Sequence, residues 1–500
     1  MSRFLALLSV ALAFAASTDA AADLPPIPAD KTTPIHQRLS LKGPKAISVG
    51  WNTYEKLDKP CVSYGTAANK LTQTACSTSS ETYPSSRTWS NAVTLENLKP
   101  ATTYYYKIQS TNSTTDFFLS GRSAGDKTPF TMNAVIDLGI YGRDGYTINN
   151  DMSKRSMIPT IDPSLNHTTI GRLATTIDDY ELIVHSGDFA YADDWYLKPQ
   201  NLLDGKNAYE AILENFYEQL APISGRKPYM VSPGNHEADC TEVLYHQGAC
   251  PDGQSNFTDF YVRFENNMPT AFPSSSSDNN AISKANMAKA LSKPPFWYSF
   301  DYGQVHVTMI NTETDFDKAP DGPDGSANLD GGPFGSPGQQ LNFLEADLAS
   351  VDRSVTPWVI VAGHRPWYST GGSDNICTPC QDAFEKTLYK HGVDIAIFGH
   401  VHNAQAFKPV FNNTADPAGF NNPEAPYYIV AGGAGNIEGL SSVGSQPNFT
   451  DYAYADDYSY ATLSFVNKTN VDVAFIRSST GQKLYKQTLY KAHNTKFVSQ

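Results

Sequence analysis

Five apolar runs, each closed by a small residue and then by a side chain able to ligate a metal, constrain this 500-residue chain more than anything else in it. They are Ala134-Val135-Ile136-Asp137-Leu138-Gly139, Leu182-Ile183-Val184-His185-Ser186-Gly187-Asp188 continuing to Tyr191, Tyr229-Met230-Val231-Ser232-Pro233-Gly234-Asn235-His236-Glu237, Trp358-Val359-Ile360-Val361-Ala362-Gly363-His364, and Ile395-Ala396-Ile397-Phe398-Gly399-His400-Val401-His402-Asn403. Uncharged β-branched and aromatic runs of this length read as buried strands, and the residues that follow let the backbone turn. A lone histidine is ordinarily a surface or satisfied core residue, whereas His400 and His402 leave one strand end together and ask for partners. In open α/β sheets ligands gather outside the carboxyl ends of the strands, so five such strands aim their side chains at one crevice. Helical patterns at Ala208 to Leu220, Gln339 to Ala349 and Gln381 to His391 lie between them, which gives the strand and helix alternation of an α/β layer fold.

The donors in that crevice sort by hardness. Asp137, Asp188 and Tyr191 offer hard anionic oxygens, and Asn235, His364, His400 and His402 offer a neutral oxygen and borderline nitrogens. Seven donors exceed what one tetrahedral ion accepts. They suit two ions about 3.5 to 4 Å apart with one carboxylate between them, the arrangement that clamps both oxygens of a phosphoryl displacement.

The chain starts with Arg3, an apolar block from Phe4 to Ala16 and small residues through Ala22, the layout of a secretory signal peptide over residues 1–20. That block is too short to span a bilayer. Export agrees with six N-x-[ST] sequons at Asn112, Asn166, Asn256, Asn412, Asn448 and Asn467. It also agrees with six cysteines in three local pairs, Cys61 with Cys76, Cys240 with Cys250 and Cys377 with Cys380, for which an oxidising compartment makes disulfides the expectation. Cys377-Thr378-Pro379-Cys380 has the form of a redox or zinc motif, but no second such pair accompanies it and it follows no βαβ pattern. The expected protein is secreted and extracellular. A formal charge of −14 and a pI near 5.2 argue against nucleic acid or an anionic membrane as partner. For an anionic substrate, multivalent cations in the crevice would offset that field.

Residues 30–125 read as a separate all-β domain, with alternating runs such as Ala46 to Trp51 and Tyr104 to Ile108 divided by polar turns. Leu98 to Tyr106 has the form of a fibronectin-type tyrosine corner, with Trp51 as the core tryptophan. Every candidate ligand falls in residues 126–425, and residues 426–495 are expected to add edge strands that complete the same domain. Residues 270 to 293, rich in Ser, Asn and Ala, and residues 315 to 338, rich in Asp, Gly and Pro, read as long surface loops. Asp321 to Gly325 lacks the spacing of a calcium loop and is placed only near the mouth of the site. Gly432 to Gly435 lacks dinucleotide-loop spacing and reads as a tight strand exit.

Taken in order, Asp137-Leu138-Gly139, Gly187-Asp188-Phe189-Ala190-Tyr191, Gly234-Asn235-His236-Glu237, Val361-Ala362-Gly363-His364 and Gly399-His400-Val401-His402 resemble the motif series of purple acid phosphatases. These form a branch of the metallophosphoesterase superfamily, and the resemblance is strongest to secreted fungal members. It implies a mixed α/β catalytic domain, a β-sandwich flanked by helices, preceded by a fibronectin-like β-sandwich. It implies Fe(III) bound by Asp137, Tyr191 and His402, a divalent zinc, iron or manganese bound by Asn235, His364 and His400, and Asp188 bridging. His236 then contacts phosphate and aids the departing ester oxygen, Asn235 also touches substrate, and the nucleophile is a metal-bound hydroxide. The expected activity is acid hydrolysis of small phosphate monoesters, with phytate among the candidates. Two departures stand out. Ile136 replaces a glycine common in the family, and Ser369 to Cys377 lacks the histidines that plant members carry near the leaving group. Arg365 is an expected phosphate contact or the partner of a loop carboxylate. A phosphodiesterase or nucleotidase is the rival enzyme, but those usually open with Asp-x-His, and Gly139 stands at that second position. A glycoprotein with a vestigial site is the rival of another class.

Overall fold

Strand Leu182–Ser186 is buried along its whole length and has parallel neighbours on both sides, Phe130–Ala134 and Tyr229–Ser232. A strand covered on both faces needs no polar alternation, which is why the sequence shows a continuous apolar run. The computed structural model describes residues 24–141, 168–197, 201, 204–239, 250–329, 336–371 and 376–493. The leader over residues 1–20, Asn166 and Cys240 lie outside them.

Two sheets carry the motif strands. One has six strands in the order Tyr229–Ser232, Leu182–Ser186, Phe130–Ala134, Ser459–Asn467, Asn470–Arg477, Lys483–Tyr490. The other has seven, in the order Tyr298–Tyr302, Val305–Met309, Trp358–Ala362, Ile395–Phe398, Tyr427–Ala431, Ala404–Phe407, Thr450–Tyr454. The crevice therefore lies at the seam of two stacked sheets, three motif strands ending in one and two in the other. Trp358 meets Phe465 across the layers, with ring centroids 6.5 Å apart. Beyond the strand ends the loops stay paired: the Gly399 amide donates to the His364 carbonyl at 2.9 Å, and Gly139 donates to Phe189 at 2.7 Å.

The expected helices are present as Gly205–Ser224, Gln339–Ala349 and a helical stretch from Thr378 to Lys390. Residues 270 to 293 are not all loop. Asn279–Leu291 is a helix, capped by the Asp278 carboxylate accepting from the Ala281 amide at 2.9 Å, and it packs on Gln339–Ala349. It buries only Ala285 and Ala288 fully, so its sequence carries almost no apolar stripe and reads by composition alone. The terminal runs are not simply edge strands either. Ser459–Asn467 is interior, antiparallel to both Phe130–Ala134 and Asn470–Arg477, because alternation reports burial and not neighbours. No described helix is long and apolar enough to cross a membrane.

The first domain is two four-stranded sheets, Ile35–Gly43, Ala46–Thr53, Trp89–Leu95, Ser80–Glu81 and Gln73–Cys76, Cys61–Gly65, Thr103–Ile108, Asp116–Leu119. Trp51 is fully buried, and the Tyr104 hydroxyl accepts from the Lys99 amide at 3.0 Å, closing the tyrosine corner. Disulfides join Cys61 to Cys76 and Cys377 to Cys380, and Cys250 is also disulfide-bonded. The sandwich docks on helix Gly205–Ser224 through buried polar groups. Glu210 accepts from the hydroxyls of Tyr83 at 2.9 Å and Ser85 at 2.8 Å. The same Tyr83 hydroxyl lies 3.0 Å from Asp259, which pairs with Arg263 at 2.8 Å.

Burial and then the neighbouring Asp259 carboxylate push Glu210 up to about 7, against the hydrogen bonds from Ser85 and Tyr83 that favour its ionised form. A carboxyl raised on folding contributes stability that is fully present below its unfolded value near 4.5 and is lost as pH rises through about 7. The wild type should therefore lose on the order of 3 kcal/mol at most across that window, a few degrees in Tm. Thermal melts from pH 4 to 8 should show this loss blunted in Glu210→Gln, and parallel curves would reject it. Mass mapping of the unreduced protein should return Cys61–Cys76, Cys240–Cys250 and Cys377–Cys380 and no cross-pairing.

Candidate metal centre

Each motif strand ends in a bend that aims its donor sideways into the seam. Asp137, Asp188, Tyr191 and His400 all have left-handed backbones, with φ of 60°, 55°, 54° and 66°. Non-glycine residues hold that conformation only where the surroundings over-determine it, as at ligand sites. Gly187, φ 94°, precedes Asp188, and a Cβ there would sit 2.4 Å from the Gly234 amide nitrogen. A Cβ on Gly399 would meet Ile136 at 2.2 Å and Asp137 Oδ2 at 2.4 Å, so the isoleucine that replaces the family glycine packs against this second strand exit.

The seven expected donors converge as two triads around Asp188. On one side the Tyr191 hydroxyl lies 3.0 Å from Asp137 Oδ1, 2.8 Å from His402 Nε2 and 3.2 Å from Asp188 Oδ2. On the other, His364 Nε2 lies 3.0 Å from Asn235 Oδ1 and 3.1 Å from the same Asp188 Oδ2, with the His400 ring 5.1 Å away. Donor atoms of Asp188, His364 and His400 lie within 4.8 Å of one another, as do those of Asp137, Asp188 and His402. His364 Nδ1 is 3.0 Å from the Ser186 carbonyl and His402 Nδ1 is 3.1 Å from that of Gly439. A carbonyl only accepts, so both rings carry their proton on Nδ1 and turn a bare Nε2 inward, as metal-binding imidazoles do.

The electrostatics fit cations. Burial and then Asp188 push Asp137 well above the usual carboxylate range, and burial and then Asp137 raise the Tyr191 phenol. Burial also works against Asp188, but His364 and His236 hold it well below that range. Burial and then Arg365 keep His400 neutral. Two acids and a phenol at this spacing ionise together only with added positive charge, which is what multivalent ions supply.

His236 stands beside the triads without joining them, its Nε2 3.8 Å from Asp188 Oδ2. Its Nδ1 is 2.7 Å from buried Asp193, and although burial lowers its pKa, Asp193 and Asp188 hold it well above the usual imidazole range. Sequence reading missed Asp193, and it missed Glu237, whose carboxylate accepts from the amides of Asp188, Phe189 and Gly234 at 2.8 to 2.9 Å. It also missed Thr312 and Glu313, which hold the segment after His364. Arg365 donates to Glu313 at 2.6 Å and lies 3.6 Å from Asp321, so the loop carboxylate expected as an alternative partner is present. Ser369 and Thr370 are tied to Gln405, and residues 372–375 lie outside the described ones.

Comparison with known proteins places this architecture. Profiles described as purple acid phosphatase N-terminal domain, calcineurin-like phosphoesterase and iron/zinc purple acid phosphatase-like protein C match residues 34–123, 166–404 and 425–485. The chain is 62% identical over 485 residues to acid phosphatase A of Cryphonectria parasitica, covering 96% of each protein. It is 28% identical over 428 residues to probable purple acid phosphatase 20 of Arabidopsis thaliana, covering 84% of this chain and 78% of that protein. The solved structure of purple acid phosphatase PPD1 from yellow lupin seeds shares the fold, with a TM-score of 0.65 at 21% identity over 92% of this chain and 75% of that one. The chain thus belongs to the purple acid phosphatase family of calcineurin-like phosphoesterases and is an enzyme of the acid phosphatase class.

Proposed function

We propose that this acid phosphatase is secreted and hydrolyses small phosphate monoesters, phytate among the candidates, at a dinuclear centre of Fe(III) and a divalent ion. Asp137, Tyr191 and His402 would hold the ferric ion, Asn235, His364 and His400 a divalent zinc, iron or manganese, and Asp188 both. The observation that carries this reading is the single Asp188 oxygen within 3.2 Å of Tyr191 and 3.1 Å of His364, a shared carboxylate with a phenol on one side only. When bound, such a pair neutralises the ester phosphate and acidifies water enough for hydroxide at low pH.

The chain's own groups do the rest. Asp193 fixes the His236 ring through Nδ1 and keeps it charged, so that Nε2 presents a proton toward the site. There it donates to a phosphate oxygen or to the departing alkoxide. Glu237 locks the backbone on both sides of Asp188, which keeps the shared carboxylate from following substrate movement. Secretion is supported by the leader-like start, by the local disulfides, and by the exposure of Asn112, Asn412, Asn448 and Asn467 as glycan acceptors, with Asn256 half-buried.

Metal analysis and visible absorption on one sample test the reading. A pink to purple protein with two metals per chain, at least one of them iron, is expected; full activity in a colourless, fully loaded protein would indicate an ordinary dinuclear phosphoesterase. Tyr191→Phe should bleach the band while the fold survives, because one buried hydroxyl contributes about 1 to 3 kcal/mol. His236→Ala should keep both metals and lose about 100-fold or more in kcat. Near-normal turnover, or loss of the metals, would remove His236 from the proton-donor role.

A further inference from the structure

The segment that follows His364 is clamped more tightly than ligation by one imidazole requires. The amides of both His364 and Arg365 donate to the Thr312 hydroxyl, at 3.2 and 2.8 Å. Thr312 in turn donates to Glu313 Oε1 at 2.8 Å, and Glu313 Oε2 accepts from Arg365 Nε at 2.6 Å. The Cys377–Cys380 loop touches both halves of this frame: the Cys377 amide donates to the Pro366 carbonyl at 2.8 Å, and Cys380 Sγ lies 3.7 Å from the Thr312 carbonyl. Arg365 is thereby aimed. Its Nε faces fully buried Glu313, Nη2 lies 3.6 Å from Asp321, and Nη1 points at His400 Nε2 from 3.1 Å.

We infer that Arg365 grips an oxygen of the substrate phosphoryl group, and that Glu313, with Thr312, is its positioning residue. The inference rests on the dinuclear reading, in which His400 Nε2 serves a metal ion and no longer accepts from Arg365. A guanidinium beside a dication is tolerated when an anion lies between them, because their mutual repulsion is poorly screened in a site where little water reaches. A phosphate oxygen meets both needs. A planar guanidinium held at Nε by a carboxylate presents its remaining N–H groups in a fixed direction, which a lysine cannot do. A monoester carries one more non-bridging oxygen than a diester, so Arg365 is placed to favour monoesters.

The full-length, metal-loaded protein is titrated with inorganic phosphate, read both as competitive inhibition and as a shift of the visible band. Arg365→Ala should weaken phosphate about 10-fold or more, raise KM for a monoester more than it lowers kcat, and reduce the preference for a monoester over a diester, with metal content unchanged. Arg365→Lys should fall between it and the wild type. Glu313→Ala should act in the same direction, and adding it to Arg365→Ala should change phosphate affinity no further. Should Glu313→Ala fail to fold, Glu313→Gln decides: a smaller but measurable weakening supports the positioning role, and unchanged affinity overturns it. Unaltered phosphate affinity in coloured, metal-loaded Arg365→Ala overturns the whole inference, and independent, additive effects of the two sites overturn the part assigned to Glu313. A wild type without metals sinks the dinuclear reading, and this one with it.

Discussion

One carboxylate oxygen, Asp188 Oδ2, sits between a phenol and an imidazole at hydrogen-bonding distance from each, and much of the fold can be understood as what keeps it there. Placing ionisable groups where almost no water reaches them is costly, and placing two acids and a phenol side by side is more so. The strands meet that cost with rigidity. Their apolar runs pack on both faces, their exits adopt left-handed backbone at four donors, and a buried glutamate takes the amides around Asp188. What a small polar cluster cannot hold by itself is held by two sheets.

How much of this was legible in the sequence depends on the range of the interaction. The donors could be read because each follows an apolar run closely, so strand, turn and ligand fall within about ten residues. His236 could be read because it adjoins one of them. Asp193, Thr312 and Glu313 could not, since each acts on a group 43 to 53 residues away in sequence. The helix Asn279–Leu291 escaped for the opposite reason: it is local, but it buries too little to leave a periodic trace. The interior position of Ser459–Asn467 was hidden because a half-polar strand looks the same in the middle of a sheet as at its border when its neighbours are unknown.

The sandwich domain contributes no donor, yet it leans on the part of the catalytic domain that delivers two of the site's residues. Leu39 bridges to Pro228, and the Leu41 amide approaches the Met230 sulfur at 3.4 Å, just ahead of Asn235 and His236. Ser40 and Lys42 reach the carbonyls of Asn267 and Met268 on the next segment. A β domain of this kind acts as a buttress for the outer strand Tyr229–Ser232, which would otherwise be an open edge of its sheet.

Strand Phe130–Ala134, which leads to Asp137, has the late strand Ser459–Asn467 as one of its two partners, joined residue for residue from Ala134 with Ala461 to Phe130 with Phe465. More than three hundred residues of chain separate the two. During synthesis the first donor therefore waits beside an unfilled sheet position until residues 459–467 emerge, and closing so distant a pair is a slow step that leaves an unpaired strand edge exposed meanwhile. A chain cut short before Ser459 would contain every donor in the crevice and still lack the strand that sets the first of them in place.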